Sequence, residues 1–135
     1  MDVATDLLST RGAGVAAVVG LLVIVAFQLA LALGAPLGRA AWGGAQAELS
    51  PKLRVASGMA VVIWLFAVVI VLGRVGIQVV PLPEAVLTWG TWILVVILIL
   101  GAILNFASSS AWERFLWGPL ALLIALLALV VALSA

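Results

Sequence analysis

Polar and apolar positions along this chain fall into blocks, with little of the short-period alternation that marks a half-buried helix or strand. Four long apolar runs stand out, at about 12–33, 53–73, 85–106 and 115–135, with charged side chains only at or near their ends. A helix needs about 20 predominantly apolar residues to cross the hydrocarbon core of a bilayer, and each run meets that length. Backbone N–H and C=O groups find no water in lipid, so each run must satisfy them internally, as a helix does. The abundant Val and Ile would favour strands in water, but these runs are too long and unbroken for strands. The pattern therefore predicts an all-α, single-domain, polytopic membrane protein: four transmembrane helices in an antiparallel bundle, with an interfacial loop over 34–52.

The ends of the runs carry matching stop and start signals. Gly34 and Pro36 close the first helix. Ser50 as N-cap and Pro51 at the first helical position open the second. Pro83-Glu84 opens the third and sets a carboxylate at the positive end of the helix dipole. Ser110 and Glu113 have the spacing of a capping box ahead of the fourth. The amino end is acidic, with Asp2 and Asp6, and its apolar run is too long for a signal-peptide core, so the first helix is expected to remain as a span.

Composition points the same way. Hydrophobic residues make up 67% of the chain and charged residues 8%, against about half and a quarter in soluble domains. A net charge of +1, without clustered basic residues, argues against a nucleic-acid partner. The chain has no Cys, His or Tyr, which removes disulfides, thiol nucleophiles, imidazole or thiolate metal sites and His acid–base chemistry. Asp2, Asp6, Glu48, Glu84 and Glu113 are the only carboxylates. No nucleophile elbow, phosphate loop or metal spacing accompanies them. The expectation is a non-enzymatic protein with no cofactor and no metal. One Lys against five Arg amid many Ala, Gly, Val and Leu suits GC-rich codons and a bacterial source.

Basic residues near helix ends orient a membrane protein. Arg39, Lys52, Arg54 and Arg114 flank the first and third connections, whereas Arg11 and Arg74 lie at the opposite ends. Four against two favours both termini outside and the 34–52 loop in the cytoplasm of a bacterial inner membrane.

Ionisable side chains are missing from mid-helix, which argues against proton relays and voltage sensing. Among the neutral polar residues, Gln28 and Asn105 are expected to form an interhelical hydrogen bond or to line a cavity. Trp64 falls near the middle of the second run, where it either packs against a neighbouring helix or marks a pocket. Trp89, Trp92, Trp112 and Trp117 suit interfacial belts. Small residues at Gly118, Ala121, Ala125, Ala128 and Ala132 form a helix-packing seam, and Gly12, Ala16 and Gly20 offer a second on the first helix. A faint repeat, LALGAPLGRAAW at 31–42 against LILGAILNFASSSAW at 98–112, suggests two related helical hairpins.

The 34–52 loop holds the densest polar chemistry. A short helix lying in the interface, with Arg39 toward lipid phosphates and Trp42 below, would satisfy its residues. Arg39 with Glu113, or Arg114 with Glu48, can pair to tie the hairpins together. Arg39, Trp42, Arg54, Glu113 and Arg114 form the expected contact surface for lipid or a protein partner, with the three arginines suited to an anionic headgroup. The function expected is that of a membrane accessory or scaffold protein, bound to lipids, to a larger membrane protein or to itself as a homo-oligomer. The alternative is an oligomeric transporter or channel subunit for a neutral or weakly polar substrate.

The segments GAPLGRAAWGG, LSPKLRVAS and NFASSSAWERFLWGP resemble those of small, uncharacterised bacterial four-helix membrane proteins. The resemblance spans most of the chain and implies an integral membrane protein, with no functional residues to carry over.

Overall fold

A computed structural model describes residues 9–135; Asp2 and Asp6, and with them the acidic amino end, lie outside the described residues. The described chain is helical without strands: α1 (Thr10–Ala32), α2 (Pro51–Arg74), α3 (Glu84–Phe106) and α4 (Gly118–Ser134), with a π-helical turn at Glu113–Trp117 leading into α4. Each is long and apolar enough to cross a membrane, the fourth span being Glu113–Ser134.

Helix ends follow local chemistry. Ser9 Oγ accepts the Gly12 N–H and Ser50 Oγ accepts the Leu53 N–H, each meeting one of the free donors at a helix start. Gly34, after the last turn of α1, has φ +98°, a left-handed conformation that glycine enters without a side-chain clash. The capping box before α4 is half formed: Ser110 Oγ accepts the Glu113 N–H, while the Glu113 carboxylate is used elsewhere.

The bundle forms as a ring, α1 packing along α2, α3 along α4, α1 against α4, and α2 less extensively against α3. Its core joins Ala17, Val18 and Leu21 of α1, Ala67, Val68 and Val71 of α2, Leu94, Val95 and Leu98 of α3, and Ile124, Ala125, Ala128 and Ala132 of α4. Gly118 and Ala121 are also buried, so the small-residue stripe of α4 is spent inside this chain. In α1 the packing stripe differs from the expected Gly12, Ala16 and Gly20: Ala13, Gly14, Ala17 and Gly20 are buried, while Gly12 and Ala16 are half-buried. A Cβ on Gly20 would lie 2.7 Å from Ile124 Cγ1 and one on Gly14 2.7 Å from Val75 Cγ1, so neighbouring side chains leave no room for a larger residue at either position. Lipid tails are as apolar as Leu, and close approach of this kind supplies the dispersion contact that holds membrane helices together.

The α2–α3 contact is uneven along its length. Apart from Ser57, the buried residues of α2 all lie between Ala67 and Gly73. Its tight approaches to α3, Gly73 against Leu87 and Ile70 against Gly90, sit beside the 75–83 connection. Toward the other end, a Cβ on Gly101 of α3 would meet nothing within 4 Å.

The two members of the faint repeat share one end of the molecule but not one structure. Gly34 terminates α1, whereas Gly101 lies inside α3, because Pro36 stops the first copy and Ile103-Leu104 continue the second.

A loop-closed cavity at one end of the bundle

The 33–50 segment folds over the wide end of the bundle as two 3₁₀ turns, Gly38–Ala40 and Trp42–Gly44, and not as the expected interfacial helix. Three consecutive positive-φ residues, Trp42 (50°), Gly43 (84°) and Gly44 (76°), break any continuous helix. Trp42 is the costly one, since a left-handed conformation costs a non-glycine residue about 1–2 kcal/mol. Two contacts hold it there. The Trp42 indole Nε1 donates to Ser57 Oγ at 3.0 Å, and Ser57 is fully buried. The next residue, Gly43, donates its backbone N–H to Glu113 Oε1 at 3.0 Å.

Glu113 and Ser110 join the two connections. Glu113 accepts from Gly43 and also from the Ser108 hydroxyl. Ser110 Oγ donates to the Arg39 carbonyl at 2.7 Å. Ser108 and Ser110 thus act as staples, a role their place in a Ser-rich turn does not reveal. At Gly38 a Cβ would collide with the Gln46 carbonyl oxygen, so the loop closes on itself where only a glycine fits.

The arginines bind backbone carbonyls. Arg39 Nη1 donates to Gly44 and Ala45, each at 3.2 Å. Arg54 Nε donates to Ala32 at 3.2 Å, covering the end of α1. Arg114 Nη1 donates to Ser108 and Ser109, each at 3.0 Å. The expected pairs Arg39–Glu113 and Arg114–Glu48 do not form. Loop and helix-end carbonyls without helical partners lie closer to the guanidinium groups, and the Glu113 carboxylate is occupied by Gly43 and Ser108. Among the described residues the one ion pair is Arg74–Glu84, at 3.3 Å on the opposite end. The loop end therefore carries Arg39, Lys52, Arg54 and Arg114 without an ion-pair partner among the described residues.

Beneath the loop lies a cavity of about 240 Å³. Its walls are Ile24, Phe27 and Gln28 of α1, Ala40, Ala41 and Trp42 of the loop, Trp64 of α2, Ile97, Leu98, Gly101 and Asn105 of α3, and Glu113, Trp117 and Ala121. Gln28, Trp64 and Asn105 all line this space. Gln28 and Asn105 do not bond to one another as expected; Gln28 Oε1 is buried without a partner. Trp117 packs against Phe27, with ring centroids 4.4 Å apart, and its buried Nε1 has no partner either. Trp92 is half-buried and packs against the core. Trp89 and Trp112, 68% and 59% exposed, keep positions suited to the belt. Ile24, Phe27, Ile97, Leu98 and Gly101 are wall residues the sequence does not single out, since ordinary apolar-run residues carry no distinguishing mark.

Comparison with known protein families, with characterised proteins and with solved structures finds no match to this chain.

Proposed function

We propose that this chain is a non-enzymatic accessory or scaffold protein of a bacterial inner membrane, with both termini outside and its loop end bound to anionic lipid headgroups. The observation that carries the reading is the set of four cations at the loop end, Arg39, Lys52, Arg54 and Arg114, which no carboxylate pairs among the described residues. Arg39, Arg54 and Arg114 are each fixed through one nitrogen to backbone carbonyls. A guanidinium has five N–H donors, so others remain for a phosphate, in an orientation already set. The cytoplasmic leaflet is where such a face meets anionic lipid, with about 1 kcal/mol gained per basic residue near the surface.

Native mass spectrometry in mixed anionic and zwitterionic nanodiscs tests the reading. The wild-type protein should retain phosphatidylglycerol in preference to phosphatidylcholine, and the Arg39→Gln, Arg54→Gln, Arg114→Gln triple variant should lose that preference. A triple Lys variant keeps the charge and should hold most of it. Equal retention of both lipids by the wild-type protein sinks the proposal. A second reading, an oligomeric transport subunit for a neutral substrate, draws support from the uncharged polar lining of the cavity by Gln28 and Asn105; substrate flux in liposomes containing only this protein is its test.

A further inference from the structure

The 37–47 segment between α1 and α2 is bonded first of all to itself. Gly38 donates its N–H to the Ala47 carbonyl at 3.0 Å, Gly44 donates to Ala41 at 2.9 Å, and Arg39 clamps the Gly44 and Ala45 carbonyls. Its two flanks carry one hydrogen bond each, Leu37 N–H to the Ala35 carbonyl and Ser50 N–H to Gln46 Oε1. A loop that closes on itself in this way holds its shape without its neighbours.

Its seat on the bundle is slight. Between 35 and 49 only Gly38 and Ala41 are buried, so little apolar surface holds the segment down. Three hydrogen bonds hold it instead: Trp42 Nε1 to Ser57 Oγ, Gly43 N–H to Glu113 Oε1, and Ser110 Oγ to the Arg39 carbonyl. Trp42 and Gly43 are both exposed, so water competes for their bonds. The backbone of Trp42 opposes the seat, because once released it can leave φ 50° for the right-handed region. Few buried apolar contacts and water-exposed hydrogen bonds are the marks of a segment that opens locally while the rest of a fold stays closed.

We infer that this segment is a lid, latched by those three bonds and hinged at its flanks, which swings aside to open the cavity to water at the loop end. Ala40, Ala41 and Trp42 belong at once to the segment and to the cavity wall, so moving it removes that wall. The latch residues of the bundle, Ser57 on α2 and Ser110 before the fourth span, lie outside the wall. Weakening either one therefore frees the lid without making a hole. The lid needs no lipid at the arginines, and it stands or falls apart from the headgroup reading.

The rate at which a water-soluble maleimide labels a buried thiol, in phosphatidylcholine nanodiscs, tests this. The chain has no cysteine of its own, so each reporter is the sole target. Ala121 lines the cavity and is buried, and Ala132 is buried farther along the same helix, away from the cavity. With the open state a minor population, Ala121→Cys should react about tenfold to a thousandfold more slowly than the exposed loop variant Ala45→Cys. Adding Ser57→Ala or Ser110→Ala should speed it about fivefold each, the worth of one hydrogen bond, while the Ala132→Cys rate stays put. If one latch variant does not fold, the other carries the comparison. A rate at Ala121→Cys equal to that at Ala45→Cys, or one unmoved by the latch variants, would overturn the inference. So would a parallel rise at Ala132→Cys, which reports loosening of the whole bundle. Hydrogen exchange on the wild-type protein needs no variant. The Gly43 amide, bonded across the latch, should exchange before the Gly38 amide, bonded within the segment; the reverse order would mean that the segment unravels and does not swing.

Discussion

Trp42 shows how a single residue is held against its own backbone preference. At φ 50° it gives up the right-handed region, and the Ser57 hydrogen bond at 3.0 Å recovers part of that cost. Phe at this position would keep the strain and lose the bond, leaving Ser57 buried with an unanswered acceptor. Trp42→Phe and Ser57→Ala should each lower unfolding stability by about 1 kcal/mol, and the double variant by little more than either alone. Chemical unfolding of the four proteins in a double-mutant cycle checks this, and fully additive losses would show that the pair does not couple. None of this was legible beforehand. An isolated Trp in a Gly-rich loop gives no sign of its partner in the next helix.

At the scale of elements, the same sequence feature can mean opposite things in two helices. Gly20 and Gly101 both sit inside apolar runs. Gly20 is pressed against Ile124, with 2.7 Å available to a Cβ, whereas Gly101 faces open space. Gly20→Ala should therefore destabilise the bundle by about 1–3 kcal/mol through overpacking. Gly101→Ala should stabilise it by about 0.5–1 kcal/mol through helix propensity. Thermal or denaturant unfolding in detergent reads both signs, and the same sign for both would contradict the packing described. The spans themselves were readable because lipid leaves long apolar runs no alternative to the helix. The Ala stripe of α4 was readable for a related reason, since small residues are what close helix approach needs. The register of α1 was not, because Gly12, Ala16 and Gly20 make as regular a stripe as the buried Ala13, Ala17 and Gly20, and only the neighbours choose.

For the whole molecule, polarity is divided between two ends. One end is closed by the Arg74–Glu84 pair and tight α2–α3 packing; the other is opened by the cavity and covered by the loop. Sequence reasoning located this second end from Arg39, Arg54, Glu113 and Arg114, and correctly put the polar chemistry of both connections on one face. The expected pairs were Arg39 with Glu113 and Arg114 with Glu48, whereas the structure gives Arg39, Arg54 and Arg114 to backbone carbonyls and Glu113 to the Gly43 N–H and the Ser108 hydroxyl. Opposite charges are visible in a sequence; carbonyls released by 3₁₀ turns and helix ends are not. The cavity was similarly hidden, since it depends on α2 and α3 being close at one end and apart at the other.

The proposed orientation sets the loop end against the cytoplasmic leaflet of a membrane that all four helices cross. The natural absence of cysteine makes this directly measurable. Ala45 in the loop and Gln78 in the opposite connection are exposed, so the single variants Ala45→Cys and Gln78→Cys each offer one thiol to a membrane-impermeant reagent. With both termini outside, intact cells stripped of their outer membrane should label the Gln78→Cys variant and spare the Ala45→Cys variant, and inverted vesicles should do the reverse. Labelling of the Ala45→Cys variant from outside, or of both variants from the same side, would contradict the account.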